Sequence, residues 1–122
     1  VTSILIVEDD PHISLFLKTN LARRMFTTIE ASTGEDALEM IRKGVPDLLL
    51  LDLQLPDMHG LDLLQMIKEE FDSPTFPIIV ISAWVDQHVK AIRDFRQVVE
   101  ILPKPVTTTR LLESIRRAIM MA

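Results

Sequence analysis

Asp52 ends the apolar run Leu48-Leu49-Leu50-Leu51, Glu8 and Asp9 end the earlier run Ile4-Leu5-Ile6-Val7, and Lys104-Pro105 follows a later run that stops at Leu102. Leucine-rich runs of this length read as buried strands, so polar residues at their ends need an explanation. If the strands lie parallel in one open sheet, their carboxyl ends share an edge, and ligands of such sheets bind in the crevice outside it. Three acids and one amine then converge. That is a site for Mg²⁺ and a phosphoryl group, with Asp52 as the nucleophile.

The elements that must position these residues follow from periodicity. Short apolar runs alternate with segments of helical period, the signature of βαβ units on a parallel sheet, and five such pairs are expected. The first strand is Ile4-Leu5-Ile6-Val7. Asp10-Pro11 then opens a helix as N-cap and first helical residue, with Ile13, Phe16, Leu17 and Leu21 on its apolar face. A weaker strand near Thr28-Ile29-Glu30-Ala31 carries an acid in mid-run, which places it at the sheet edge. Ser32 with Glu35 resembles a capping box for a helix with Ala37, Leu38 and Ile41 inward, ending at Gly44.

Pro46 opens the third and most buried strand, and Pro56 and Gly60 mark the loop after it. Leu63, Leu64, Ile67 and Phe71 face the core from the next helix. Pro74 and Pro77 bracket the entry to a fourth strand, Ile78-Ile79-Val80-Ile81, which stops at Ser82-Ala83. Asp86 is the expected N-cap of a fourth helix with Val89, Ile92 and Phe95 inward. A fifth strand spans Val98-Val99 through Ile101-Leu102. Thr107 or Thr108 caps a last helix that buries Leu111, Leu112, Ile115 and Ile119. Right-handed crossovers with two covered faces favour an α/β flavodoxin-like (βα)5 three-layer sandwich, with parallel sheet order 2-1-3-4-5.

Composition narrows the function. The 122 residues suit one domain, residues 1-122, with no internal linker or repeat. A net charge of −5 offers no overall field for phosphate backbones or anionic lipid, so direct nucleic-acid or membrane binding is not expected. The absence of cysteine removes disulfides, thiolate metal sites and thiol nucleophiles together and agrees with a reducing compartment. No apolar stretch approaches the ~20 residues of a membrane span. A soluble, cytoplasmic location is the expectation.

In order, Ile4-Leu5-Ile6-Val7-Glu8-Asp9, Leu51-Asp52, Ile81-Ser82-Ala83 and Lys104-Pro105 resemble the receiver domain of two-component response regulators, the CheY-like family, over essentially the whole chain. Leu55-Pro56-Asp57-Met58-His59-Gly60 resembles the loop after that family's phosphorylated aspartate. The resemblance implies Mg²⁺-dependent transfer of a phosphoryl group to Asp52 from a phosphohistidine on a sensor histidine kinase or phosphotransfer protein. It also implies a metal set of Asp9, Asp52, the Gln54 main-chain carbonyl and waters, with Glu8 acting through one of them. Lys104 would pair with a phosphoryl oxygen, the Ser82 hydroxyl would turn inward to bond that group, and the Lys104-Pro105 peptide would be cis.

The expected readout is a shift of the surface built by the fourth helix, fifth strand and fifth helix, which could also serve a homodimer. Two positions depart from the family's pattern: Ile101 stands where Tyr or Phe is frequent, and Val106 where many members carry Phe. Gln54 and Trp84 lie two positions beyond Asp52 and Ser82, and the bulk of Trp84 is expected to slow hydrolysis of the acyl phosphate. His12, His59 and His88 lack metal spacing and read as solvated. Met120 and Met121 end an apolar helix where a following segment could attach, so a stand-alone regulator and a module with an output domain beyond Ala122 both stay open.

Two other functions compete. A haloacid-dehalogenase-like phosphatase also uses an aspartate after an apolar strand with Mg²⁺, but needs a second Asp two residues on, where this chain has Gln54. A pseudo-receiver that binds partners without phosphorylation usually lacks an acid or the lysine, and all are present here. The expected role is therefore a phosphoacceptor signalling domain that assists only its own phosphorylation and dephosphorylation.

Overall fold

Strands and helices alternate along the whole chain in the computed structural model, which describes the backbone of residues 2–71, 76–83 and 85–121, and their side chains except those of 85–88 and 121. The order is β1 (Ser3–Val7), α1 (Pro11–Ala22), β2 (Thr27–Ala31), α2 (Gly34–Lys43), β3 (Leu48–Asp52), α3 (Gly60–Glu70), β4 (Ile78–Ser82), α4 (Val85–Arg93), β5 (Val98–Pro103) and α5 (Thr108–Met121). The strands are parallel in the order β2-β1-β3-β4-β5, as predicted.

Side chains alternate across a strand, so each apolar run feeds both faces of the sheet. Leu5, Val7, Leu49, Leu51 and Val80 pack against Leu38, Ile41, Leu63 and Ile67 of α2 and α3. Ile4, Ile6, Leu48, Leu50 and Ile79 pack against Leu17 and Leu21 of α1 and Leu111 and Ile115 of α5. With both faces covered, β3 and β4 are buried at every residue. This is why their sequences are continuous rather than alternating.

Several local expectations shift. Phe16 is 37% exposed rather than core, because Ile13, Leu17 and Leu21 already form the stripe spaced by four residues, and Phe16 lies about 100° from Leu17 around the helix. The α2 cap is Thr33, whose Oγ1 accepts from the Asp36 N–H at 3.0 Å, one residue later than the Ser32–Glu35 pair. Pro46 precedes β3 rather than opening it, and Gly60 begins α3 rather than sitting in the loop. Asp86 is the second residue of α4, not its cap, because the helix starts at Val85. Thr107 caps α5 through its bond from the Arg110 N–H at 3.2 Å.

The acid in β2 is explained by partners. Glu30 accepts from the Ser14 hydroxyl at 2.6 Å and pairs with Lys18 at 3.4 Å, tying the edge strand to α1. Ser114 of α5 is fully buried and reaches Glu100 of β5, which also binds Arg117. Sequence periodicity gives no reason to expect a serine at that inward position. Pro74 and Trp84, and the side chains of Asp86, His88 and Met121, lie outside the described residues.

Candidate functional site

Strand register brings the site together. Val7 pairs with Leu51, so Glu8 follows beside Asp52; Asp52 pairs with Ile81; and Ser82 pairs with Pro103, one residue before Lys104. The chain turns away from the sheet at these points, held by the Glu8 N–H on the Ala31 carbonyl at 3.0 Å and the Lys104 N–H on the Ser82 carbonyl at 3.0 Å. Crevices outside the carboxyl edge arise in this way wherever parallel strands end together.

Glu8 and Asp52 are 5% and 4% exposed, Ser82 is fully buried, and Asp9 is exposed. Ligand atoms of Glu8, Asp9 and Asp52 all lie within 4.8 Å of one another. The Lys104 Nζ donates to Glu8 Oε1 at 3.1 Å and stands 3.4 Å from Asp52 Oδ2. The Gln54 N–H donates to Asp52 Oδ1 at 3.2 Å, so the loop after β3 begins against the carboxylate. Asp10 is the α1 cap, accepting from the His12 N–H at 2.9 Å. The Lys104–Pro105 peptide is cis.

Burial, and next the Asp52 carboxylate, push Glu8 up to about 7, although the Asp10 N–H and Lys104 pull the other way. Burial also works against the charge on Lys104, but Asp52 and Glu8 outweigh it and hold the amine above the ordinary lysine range. A carboxyl raised in the folded state binds its proton more tightly there than in the unfolded chain, where it titrates near 4.5. The stability this proton supplies is complete below that value and is lost as pH rises through about 7. Metal-free protein is therefore expected to lose up to about 3 kcal/mol between about pH 5 and about pH 8. Urea midpoints that stay flat or rise over this range would contradict the charge arrangement.

Two residues here escaped the sequence reading. His59 is not simply solvated: it caps α3, with its Nδ1 accepting from the Leu61 N–H at 3.0 Å. Asp57 accepts from the N–H groups of Gly34 and Glu35, and the Gly34 bond in particular holds its carboxyl below the usual range. The sequence places it only in the loop after β3, and its partners are 23 and 22 positions away, beyond any local pattern. An apolar pocket of about 530 Å³ also opens beside Lys104, lined by His12, Ile13, Phe16, Ile81, Pro105 and Val106.

A five-stranded doubly wound sheet with paired acids after β1, an aspartate at the end of β3 and a lysine after β5 defines a signalling receiver. The sequence pattern of the response regulator receiver domain matches residues 4–116, and the chain belongs to that family. It is 37% identical over 118 residues to the regulatory protein LuxO of Vibrio cholerae, covering 95% of this chain and 25% of LuxO. It is 34% identical over 119 residues to the transcriptional regulatory protein KdpE of Mycobacterium tuberculosis, covering 98% of this chain and 51% of KdpE. The chain thus spans a quarter to about half the length of these relatives. The response regulator TrrA of Thermotoga maritima, solved in complex with Mg²⁺-BeF, superposes with a TM-score of 0.84 at 25% identity, covering 97% of this chain and 99% of that one. The chain is therefore a receiver domain of a two-component system. Among the described residues, no helix is long and apolar enough to cross a membrane.

Proposed function

We propose that Asp52 is the phosphoacceptor, that Asp9, Asp52 and the Gln54 carbonyl hold Mg²⁺ with Glu8 assisting through water, and that Lys104 and Ser82 engage the phosphoryl group. One observation carries this reading: Lys104 bridges two buried carboxylates whose ligand atoms, with those of Asp9, lie within 4.8 Å. The donors are hard oxygens on separate elements, which fits Mg²⁺ better than a soft metal. When bound, the ion neutralises charge between acceptor and phosphoryl oxygens.

In the transfer, an Asp52 carboxylate oxygen forms a bond to phosphorus as the P–N bond of the phosphohistidine breaks. The imidazole leaves with the bonding pair and takes a proton from solvent. Lys104, already placed between Glu8 and Asp52, can move its charge to a phosphoryl oxygen without leaving the pocket. Turnover of external phosphoesters is not part of this reading, because Gln54 cannot act as acid or base.

The donor would be a sensor histidine kinase or a phosphotransfer protein in the cytoplasm. TrrA's complex with Mg²⁺-BeF supports the metal by family likeness. The output surface is α4, β5 and α5, which could also form a homodimer; Ile101 packs on the core there as an aliphatic group, so that position has no ring to report the switch. LuxO and KdpE extend well past the segment they share with this chain, which supports an output domain attached to the receiver. A small phosphodonor such as phosphoramidate tests the reading. The chain should gain one labile phosphoryl group with Mg²⁺ and none with chelator; equal modification in both would sink it.

A further inference from the structure

Resting on the Mg²⁺ site proposed above, we propose that Asp57 is a positioning residue for the metal: its carboxylate anchors the β3–α3 loop to the start of α2 and so fixes the Gln54 carbonyl. Its Oδ1 accepts from the Gly34 N–H at 2.9 Å and its Oδ2 from the Glu35 N–H at 3.0 Å. These are two of the donors that the first turn of a helix leaves without intrahelical partners. A third, the Asp36 N–H, goes to Thr33. The helix is thus capped once by its own neighbour and once by a distant loop.

The rest of the loop is closed. Its neck is held by the Gly60 N–H on the Leu53 carbonyl at 2.7 Å and by the antiparallel bridge of Gln54 with His59. Approach is so close that a Cβ on Gly60 would meet Leu53 Cα at 2.6 Å. At the tip, Met58 lies against Gly34, where a Cβ would meet its Sδ at 2.5 Å. Asp57 supplies the charged, two-pronged bond at that tip, and such bonds fix direction as well as distance. A main-chain carbonyl binds a cation only as well as it is aimed, so the anchor that fixes its loop helps to set the affinity.

The test is calorimetric titration of Mg²⁺ into the full chain at about 0.3 M ionic strength, which screens the field of the Asp57 charge itself. Asp57→Ala should weaken binding about tenfold, while Asp57→Asn, which keeps one acceptor oxygen, should stay within about threefold of the parent. Thr33→Ala is the control: it should lower the thermal midpoint through loss of the local cap and leave Mg²⁺ affinity unchanged. Parent-like binding by Asp57→Ala would overturn the proposal. So would equal weakening in Thr33→Ala, which makes helix stability the cause, or in Asp57→Asn, which makes charge the cause. Failure of the site reading looks different: the parent takes up no Mg²⁺, or Asp52→Asn binds as the parent does, and the inference falls with it.

Discussion

Asp52→Asn is expected to stabilise the metal-free protein at about pH 8 by about 1–2 kcal/mol while abolishing phosphoryl acceptance. Two like charges ~4 Å apart repel by about 4 kcal/mol at an effective dielectric of ~20. Asp52 faces both Glu8 and Asp9 within 4.8 Å, and the attraction of Lys104 offsets only part of this. The amide keeps an acceptor for the Gln54 N–H and leaves Glu8 free to ionise against Lys104, 3.1 Å away. The gain should shrink near pH 5, where Glu8 is protonated in the parent, because its carboxyl is raised to about 7. A denaturant midpoint below the parent's at pH 8 would contradict it.

Lys104→Ala should act in the opposite direction. It leaves Glu8 and Asp52, both nearly fully buried, without the amine that bridges them. Removing one partner of a buried ion pair typically destabilises by 3–5 kcal/mol, so a loss of about 3 kcal/mol is expected at about pH 8. Less should be lost at about pH 5, where one carboxyl is neutral. Millimolar Mg²⁺ should recover much of the loss by binding the folded state alone. Phosphoryl acceptance should slow by about a hundredfold even with metal, because the charge meant for the phosphoryl oxygen is gone. A midpoint unaffected by the substitution would show that the amine does not hold the carboxylates together.

The strand runs, their order and the convergence of Glu8, Asp9, Asp52 and Lys104 were legible because burial on both faces leaves long apolar strings whose polar ends stand out. Helix starts were less so: Ser32 and Thr33 are chemically equivalent caps, and only backbone geometry chooses between them. Phe16 illustrates a different gap. Apolar type suggests an inward place, but α1 has more apolar side chains than its buried stripe holds, and Leu15 and Phe16 are left outside. Asp57 and Ser114 were illegible for a third reason. Each is defined by partners on another element, through Gly34 and Glu35 or through Glu100, and single-sequence periodicity carries no signal of such pairs.

In the proposed function phosphate rests on the Asp52 carboxylate, and Mg²⁺ is needed to put it there. Treating the chain with phosphoramidate and Mg²⁺, reducing the acyl phosphate with borohydride and mapping the peptides should find homoserine in place of Asp52 alone, with none when the metal is chelated. Homoserine at Asp9 or another acid, or the same modification in Asp52→Asn, would contradict it.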